Sequence, residues 1–177
     1  MANYTVTKYP NGTFSWAELD STDAHKSKAF FMAVMGWECK EFPIPHMDIP
    51  YMMMHVDGQK ATAMYQMSED RKAQGMPSYW ASYVAVDDLD AMVEKIKSGG
   101  GQIVVPPMDV MQQGRMLVFS DPHGAALALW EAKDHIGATV VNKPGAMSWN
   151  ELRTRDIEGA KKFYGEPDAE TKALVDL

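Results

Sequence analysis

The stretch Gly145–Tyr164, GAMSWNELRTRDIEGAKKFY, decides how the rest of the chain is read, because it repeats Gly12–Phe31, GTFSWAELDSTDAHKSKAFF. The pairs Gly12/Gly145, Ser15/Ser148, Trp16/Trp149, Glu18/Glu151, Leu19/Leu152, Asp23/Asp156, Lys28/Lys161 and Phe30/Phe163 are identical and in one order. Repetition of this kind marks a duplicated supersecondary unit. Each copy predicts a strand, a turn and a helix. Phe14, Trp16 and Glu18 alternate with Ser15, Ala17 and Leu19, which is a strand period. Thr22 or Asp23 can cap the helix that follows. Ala29, Phe30 and Phe31 end its apolar face, and Met35-Gly36-Trp37 closes the unit.

Working outward, Glu38 to Phe42 predicts a short strand, and Pro43, Pro45 and Pro50 a loop. Tyr51 to Val56 and Ala61 to Met67 predict two strands joined by the hairpin signal Asp57-Gly58. Ser68 to Ser78 is polar, with Gly75 and Pro77, and reads as a linker or lid loop. The same order then recurs. Tyr79 to Val86 is a strand, and Asp87 or Asp88 caps a helix through Ser98 with apolar Leu89, Met92, Val93 and Ile96 at helical spacing. Gly99-Gly100-Gly101 ends that helix. Gln102 to Val105, Met116 to Ser120 and Ala125 to Trp130 supply three more strands, the last entered through the turn Asp121-Pro122-His123-Gly124. Residues 12 to 67 and 79 to 131 therefore both predict β-α-β-β-β. The expected fold is α+β: a complete domain of two modules over residues 1–133, then a connector and the opening strand and helix of a third over 134–177.

Composition narrows the function classes. The apolar fraction of the 177 residues is 46 %, enough for a core. No apolar run approaches the roughly 18 residues of a membrane helix, and Met1 to Gly12 has no signal-peptide character. A single cysteine, Cys39, allows no internal disulfide and fits a reducing cytoplasm. A net charge of -7 without a basic cluster disfavours nucleic acid. Fifteen methionines, several between Met52 and Met67 and between Met108 and Met116, either fill a core or line an adaptable apolar wall.

The module order, with Val86-Asp87-Asp88-Leu89-Asp90 at a helix entry, Gly-Gly before Ile103-Val104-Val105-Pro106-Pro107, and Asp121-Pro122-His123-Gly124-Ala125 running into Leu127-Ala128-Leu129-Trp130, resembles the vicinal oxygen chelate superfamily. That superfamily includes glyoxalase I, bleomycin-resistance proteins and extradiol dioxygenases. The W-x-E-L opening resembles a bacterial subgroup with two such domains in tandem. The resemblance implies paired modules whose sheet curls around a cavity. In metal-dependent members it also implies a His or Gln early in each module's first strand and a Glu in its last. Those positions fall here on Trp16, on Ala81 or Ser82, on Ala128 and near Met64. None of Trp, Ala or Met is a usual ligand for a catalytic divalent ion. The expectation is a site without a metal and no cofactor, a divalent metal being the alternative.

If Leu19 packs on the helix, Phe14, Trp16 and Glu18 share the opposite face. Glu18 is the candidate catalytic residue. A buried carboxylate must be paired, hydrogen-bonded or protonated, and it serves either as a general base or as a structural acid tied to amides or to Arg115. Tyr83 occupies in the second module the place Glu18 occupies in the first, as a ligand donor or a core aromatic. Phe14, Trp16, Met54, His55, Met64, Tyr83, Arg115 and Trp130 are the candidate ligand-binding residues. Ala126 and Ala128 leave room beside Trp130, which suits a planar apolar ligand or simple packing. His25, His46, His123 and His135 are placed on a helix surface, in the proline loop, in a turn and in the connector. The expected function is that of a glyoxalase/bleomycin-resistance-like protein holding a small apolar or aromatic molecule. The alternative is a lyase, isomerase or dioxygenase of the same superfamily using a divalent metal or Glu18 as base. A homodimer is expected through an unpaired strand at 146–152.

Overall fold

The computed structural model describes residues 5–45 and 48–165, so His46 and the chain after Gly165 lie outside the described residues. The elements run β1 (Phe14–Ser21), α1 (Ala24–Met35), β2 (Glu38–Phe42), β3 (Tyr51–Val56), β4 (Gln59–Gln66), α2 (Glu69–Ala73), β5 (Tyr79–Ala85), α3 (Leu89–Ser98), β6 (Gln102–Val110), β7 (Gly114–Ser120), β8 (Ala126–Ala132) and α4 (Ile157–Tyr164). The fold is mixed α+β and contains the two β-α-β-β-β modules that the repeat predicts. Contacts divide the chain into two compact units, and strand β5 contributes Tyr79–Tyr83 to the first and its last two residues to the second.

The first unit comprises the residues to Tyr9, Ser15–Tyr83 and Ile136–Trp149. Its strands lie in the order β2-β3-β4-β1-β5. β1 runs parallel to β4 with Glu18 opposite Ala63, Leu19 opposite Met64 and Asp20 opposite Tyr65. β2, β3 and β4 are antiparallel, with Met52 opposite Met64 and Met53 opposite Ala63. Asp57 and Gly58, both at positive φ, make the tight hairpin turn between β3 and β4. The carboxylate of Asp23 accepts from the Lys26 amide and starts α1, and left-handed Gly36 ends it. One face of this sheet and α1 enclose Leu19, Ala24, Trp37, Met52, Met54 and Met64. Each fully buried methionine contributes about 1.5–3 kcal/mol of burial.

The second unit comprises Pro10–Phe14, Val84–His135 and the residues from Asn150 on. β8, β7 and β6 are antiparallel neighbours, and Val86 N–H donates to Trp130 O at 2.9 Å. Asp88 caps α3 through the Ala91 amide. Val84, Val86, Leu89, Ile96, Leu117, Phe119 and Leu129 form the core.

Three expectations change. The polar stretch at 68–78 holds a short helix, α2. Ser68 precedes it, Glu69 and Asp70 occupy its first turn, and Arg71 and Lys72 its last, which suits the helix dipole. The strand expected from Gln102 to Val105 continues through Pro106-Pro107 to Val110, with register shifts where the ladder passes the prolines. In the third opening Asp156 caps α4 as Asp23 caps α1. The strand expected at 146–152 does not form: Met147 makes one isolated parallel bridge to Val141, and residues 148–154 join no ladder among the described residues. A strand without a neighbour has no hydrogen bonds to hold it.

Candidate functional site

Leu19 and its partner Met64 fix the two faces of the first unit's sheet. They point to α1, so Trp16, Glu18 and Asp20 point the other way. The register brings Tyr51 of β3, Tyr65 of β4 and Tyr83 of β5 to the same side, because a shift of one residue would reverse every side chain.

Glu18 is at the centre of this face and is buried. Its Oε2 accepts from Tyr51 Oη at 2.7 Å, and its Oε1 accepts from Tyr83 Oη in a very short contact. Burial pushes its pKa up. The hydroxyls of Tyr83 and Tyr51 and the Trp16 side chain oppose that rise without cancelling it, and the neighbouring Asp20 charge adds to it. The phenols of Tyr51, Tyr65 and Tyr83 are raised well above their ordinary value, by burial first and by the Glu18 charge second. They stay protonated, and Tyr51 and Tyr83 act as donors to Glu18. The rings of Tyr51 and Tyr65 stack, centroids 6.5 Å apart and planes 22° from parallel.

Two residues along β1, Asp20 is fully buried. Its Oδ2 pairs with Arg71 Nη1 of α2, while its Oδ1 is buried without a hydrogen-bond partner among the described residues. Arg71 Nη2 donates to Tyr79 Oη at 2.6 Å, and the guanidinium lies 5.3 Å from the centre of the Tyr79 ring. The face thus carries two carboxylates of different character. Glu18 is tied to neutral phenols, and Asp20 is neutralised by a cation.

The structure brings Trp16, Glu18 and Tyr83 together. It places Met54 and Met64 on the opposite face, fully buried in the core with Leu19. The pairings of Leu19 with Met64 and of Met64 with Met52 put these methionines on the α1 side. His55 sits at the β-bulge between Met54 and His55, buried, with Nδ1 3.2 Å from Met53 O; burial lowers its pKa. Phe14, Arg115 and Trp130 belong to the second unit. Arg115 holds Asp90 through both terminal nitrogens at 3.1 Å and reaches Glu131 at 3.2 Å, so its charge is already engaged there. Trp130 donates from Nε1 to His135 O at 2.7 Å and packs over Gly114, where a Cβ would lie 2.4 Å from its ring. Phe14 is partly exposed.

Tyr51, Tyr65, Asp20, Arg71 and Tyr79 have no place in the sequence expectation. Asp20 was within reach of it, since it continues the alternation of Trp16 and Glu18. The tyrosines needed the register, and Arg71 needed the recognition of α2.

The residues present do not fit a divalent ion of the superfamily's kind. The expected positions carry Trp16, Ala81 or Ser82, Ala128 and Met64, none with an imidazole or carboxylate. Both Glu18 oxygens accept from phenols, Asp20 holds a guanidinium, and His55 bonds to backbone. Among the described residues no group of three or more His, Cys, Asp or Glu side chains converges. No helix among them is long and apolar enough to cross a membrane.

Comparison with known proteins agrees with the fold. The protein named "Putative glyoxylase CFP32" of Mycobacterium tuberculosis is 41 % identical over 157 residues, which cover 89 % of this chain and 60 % of that protein. The "Anthracycline biosynthesis protein DnrV" of Streptomyces peucetius is 34 % identical over 169 residues, covering 90 % of this chain and 61 % of that one. The chain spans about three fifths of the length of these curated relatives. Among solved structures, a hypothetical protein from Bacillus halodurans aligns over 68 % of this chain and 94 % of its own with a TM-score of 0.52 at 10 % identity. Methylmalonyl-CoA epimerase from Mycobacterium tuberculosis aligns over 73 % and 91 % with a TM-score of 0.50 at 17 % identity. These two likenesses concern the fold alone. The model of the Glyoxalase/Bleomycin resistance protein/Dioxygenase superfamily matches residues 13–129, and the chain belongs to that superfamily.

Proposed function

We propose that this chain binds a small aromatic or apolar molecule at the Glu18 face without a metal. The observation that carries the reading is Glu18 itself. It is a buried carboxylate whose two oxygens accept from Tyr51 and Tyr83, set among aromatic side chains, while the positions that carry the ligands in metal-dependent relatives hold Trp16, Ala81 or Ser82, Ala128 and Met64. Rings such as Trp16 and the stacked Tyr51 and Tyr65 suit a planar guest, and the carboxylate with its phenols gives one polar anchor. The cytoplasm is the compartment this reading assumes, because Cys39 is a free thiol. A homodimer belongs to the same reading, its surface to be mapped by substitution.

A second reading rests on the raised pKa of Glu18. Burial raises the pKa of the carboxyl group, the direction that strengthens it as a general base, and the Tyr83 hydroxyl holds Oε1 in place by its hydrogen bond. The chain would then be an isomerase or lyase of the superfamily acting by acid–base chemistry.

One experiment separates these. The purified native protein is examined by elemental analysis and by native mass spectrometry, and a panel of aromatic compounds is screened by thermal shift. The binding reading expects no stoichiometric transition metal and a raised midpoint with at least one compound. Stoichiometric zinc, nickel, manganese or iron overturns it. For the second reading, Glu18→Gln retains the bound compound but loses its turnover; unchanged turnover refutes the base.

A further inference from the structure

We propose that the outer face of α1, centred on Phe30 and Val34, is a docking surface whose occupant is the glycine-rich helix end of another β-α-β-β-β module, seated there as α4 is seated on the second module of this chain. The two helices are copies of one sequence unit, yet their equivalent faces are in opposite states. Phe163 of α4 packs on Phe119 with ring centroids 6.0 Å apart and joins the core of the second unit. Cβ atoms placed on Gly99 or Gly101 would lie 3.0 Å from its ring, so this stretch is glycine where Phe163 seats. Two polar contacts flank it: Tyr164 Oη donates to Asp121 at 3.1 Å, and His123 Nε2 lies 3.1 Å from the Oδ2 of the cap residue Asp156.

The equivalent of Phe163 on α1 is Phe30, which is 59 % exposed, and one turn later Val34 is 61 % exposed. An exposed apolar pair one turn apart, on a helix that packs on its own core through Ala24 and Phe31, is what an unfilled contact looks like. The polar anchor is conserved between the copies too. Asp23 caps α1 as Asp156 caps α4, and its side chain is 45 % exposed and paired with the neighbouring Lys26 at 3.0 Å. A module carrying a turn like Asp121-Pro122-His123-Gly124 would present a histidine to it, which gives the contact a hydrogen-bond partner as well as complementary shape. In this chain that seat is occupied by α4. The mycobacterial relative exceeds this chain in length, the match covering 60 % of it.

The test vacates the seat on this chain and asks whether α1 of a second copy takes it. Asp156→Ala, Phe163→Asp and Tyr164→Ala together remove the three anchors of α4. Sedimentation equilibrium then compares wild type, this triple variant, and the triple variant with Phe30→Asp added. The expected result is self-association of the triple variant at least about tenfold tighter than that of wild type, lost again when Phe30 is replaced. A triple variant that associates no more than wild type overturns the proposal, and so does association that survives Phe30→Asp. Near-UV circular dichroism checks the fold. If the triple variant does not fold, Phe163→Ala, which keeps both polar anchors, is compared with and without Phe30→Asp under the same two criteria.

Discussion

Replacing Tyr83 by Phe removes one oxygen and leaves the ring, so it isolates the hydrogen bond to Glu18 Oε1. The cost depends on the charge Glu18 carries. A bond to an ionised acceptor is worth about 1.5–3 kcal/mol and one to a neutral acceptor about 0.5–1.5. Glu18 is buried and has no basic partner among the described residues, so the ionised form relies on Tyr83, Tyr51 and Trp16. Tyr83→Phe should therefore destabilise by about 2 kcal/mol where Glu18 is ionised and by about 1 kcal/mol where it is protonated. For a chain of this length 2 kcal/mol lowers the midpoint by roughly 4–8 °C. The titration of Glu18 itself should move further upward, since the lost bond favoured the carboxylate. The assay is urea denaturation of both proteins across pH 4 to 9, with the Glu18 carboxyl carbon followed by NMR. An equal cost at both ends of the range, with an unmoved Glu18 titration, would show that the short contact to Tyr83 does not stabilise the charge.

Other perturbations test neighbouring parts of the structure. Glu18→Gln removes a group whose pKa is higher folded than unfolded; the folded state then holds the extra proton, so wild type loses stability as pH rises from about 4.5 through the folded pKa. The stability of Glu18→Gln relative to wild type should accordingly rise over that window and then level off, and denaturation curves showing the reverse trend would contradict the burial argument. Arg71→Met leaves the fully buried Asp20 without its cation, at a cost of about 2–3 kcal/mol. That is below the range for fully buried pairs because the Arg71 side chain is about a third exposed. Asp20→Asn in the same chain should recover part of this loss in a double-mutant cycle. Gly114→Ala would put a Cβ 2.4 Å from the Trp130 ring and 2.7 Å from the Glu131 carbonyl, so a loss of about 1–3 kcal/mol with altered tryptophan fluorescence is expected.

Periodicity made most of the fold legible. β2 and β3 run where the residue pattern puts them, and α3 ends at Ser98 ahead of its glycines. The site was legible only where one strand sufficed. Alternation along β1 set Trp16 and Glu18 together, but it could not show which methionines of β3 and β4 share their face. Met54 and Met64 read as cavity wall because clustered methionines suit an adaptable apolar lining. The parallel pairing of Leu19 with Met64 is a tertiary fact, and it sends both methionines to the helix side. Arg115 shows the same gap from the electrostatic side. A strand-start arginine looks available in sequence, while in the fold Asp90 and Glu131 reach it from α3 and β8.

The repeated S-W-x-E-L block shows how little of a functional residue resides in its own sequence. In the first copy Trp16 and Leu19 are buried, and Glu18 meets Tyr83 of the adjacent β5 and Tyr51 of β3, the strand beyond β4. In the second copy the same letters give a Trp149 that is 73 % exposed, an exposed Leu152, and a Glu151 whose recorded partner is Arg153 two residues away at 3.1 Å. Glu151 is exposed to water, whereas burial raises the pKa of Glu18. The chemistry attributed to Glu18 is therefore a property of three strands in register. It is lost where the block stands without neighbours, although the helix that follows caps and docks through Asp156 and Phe163 all the same.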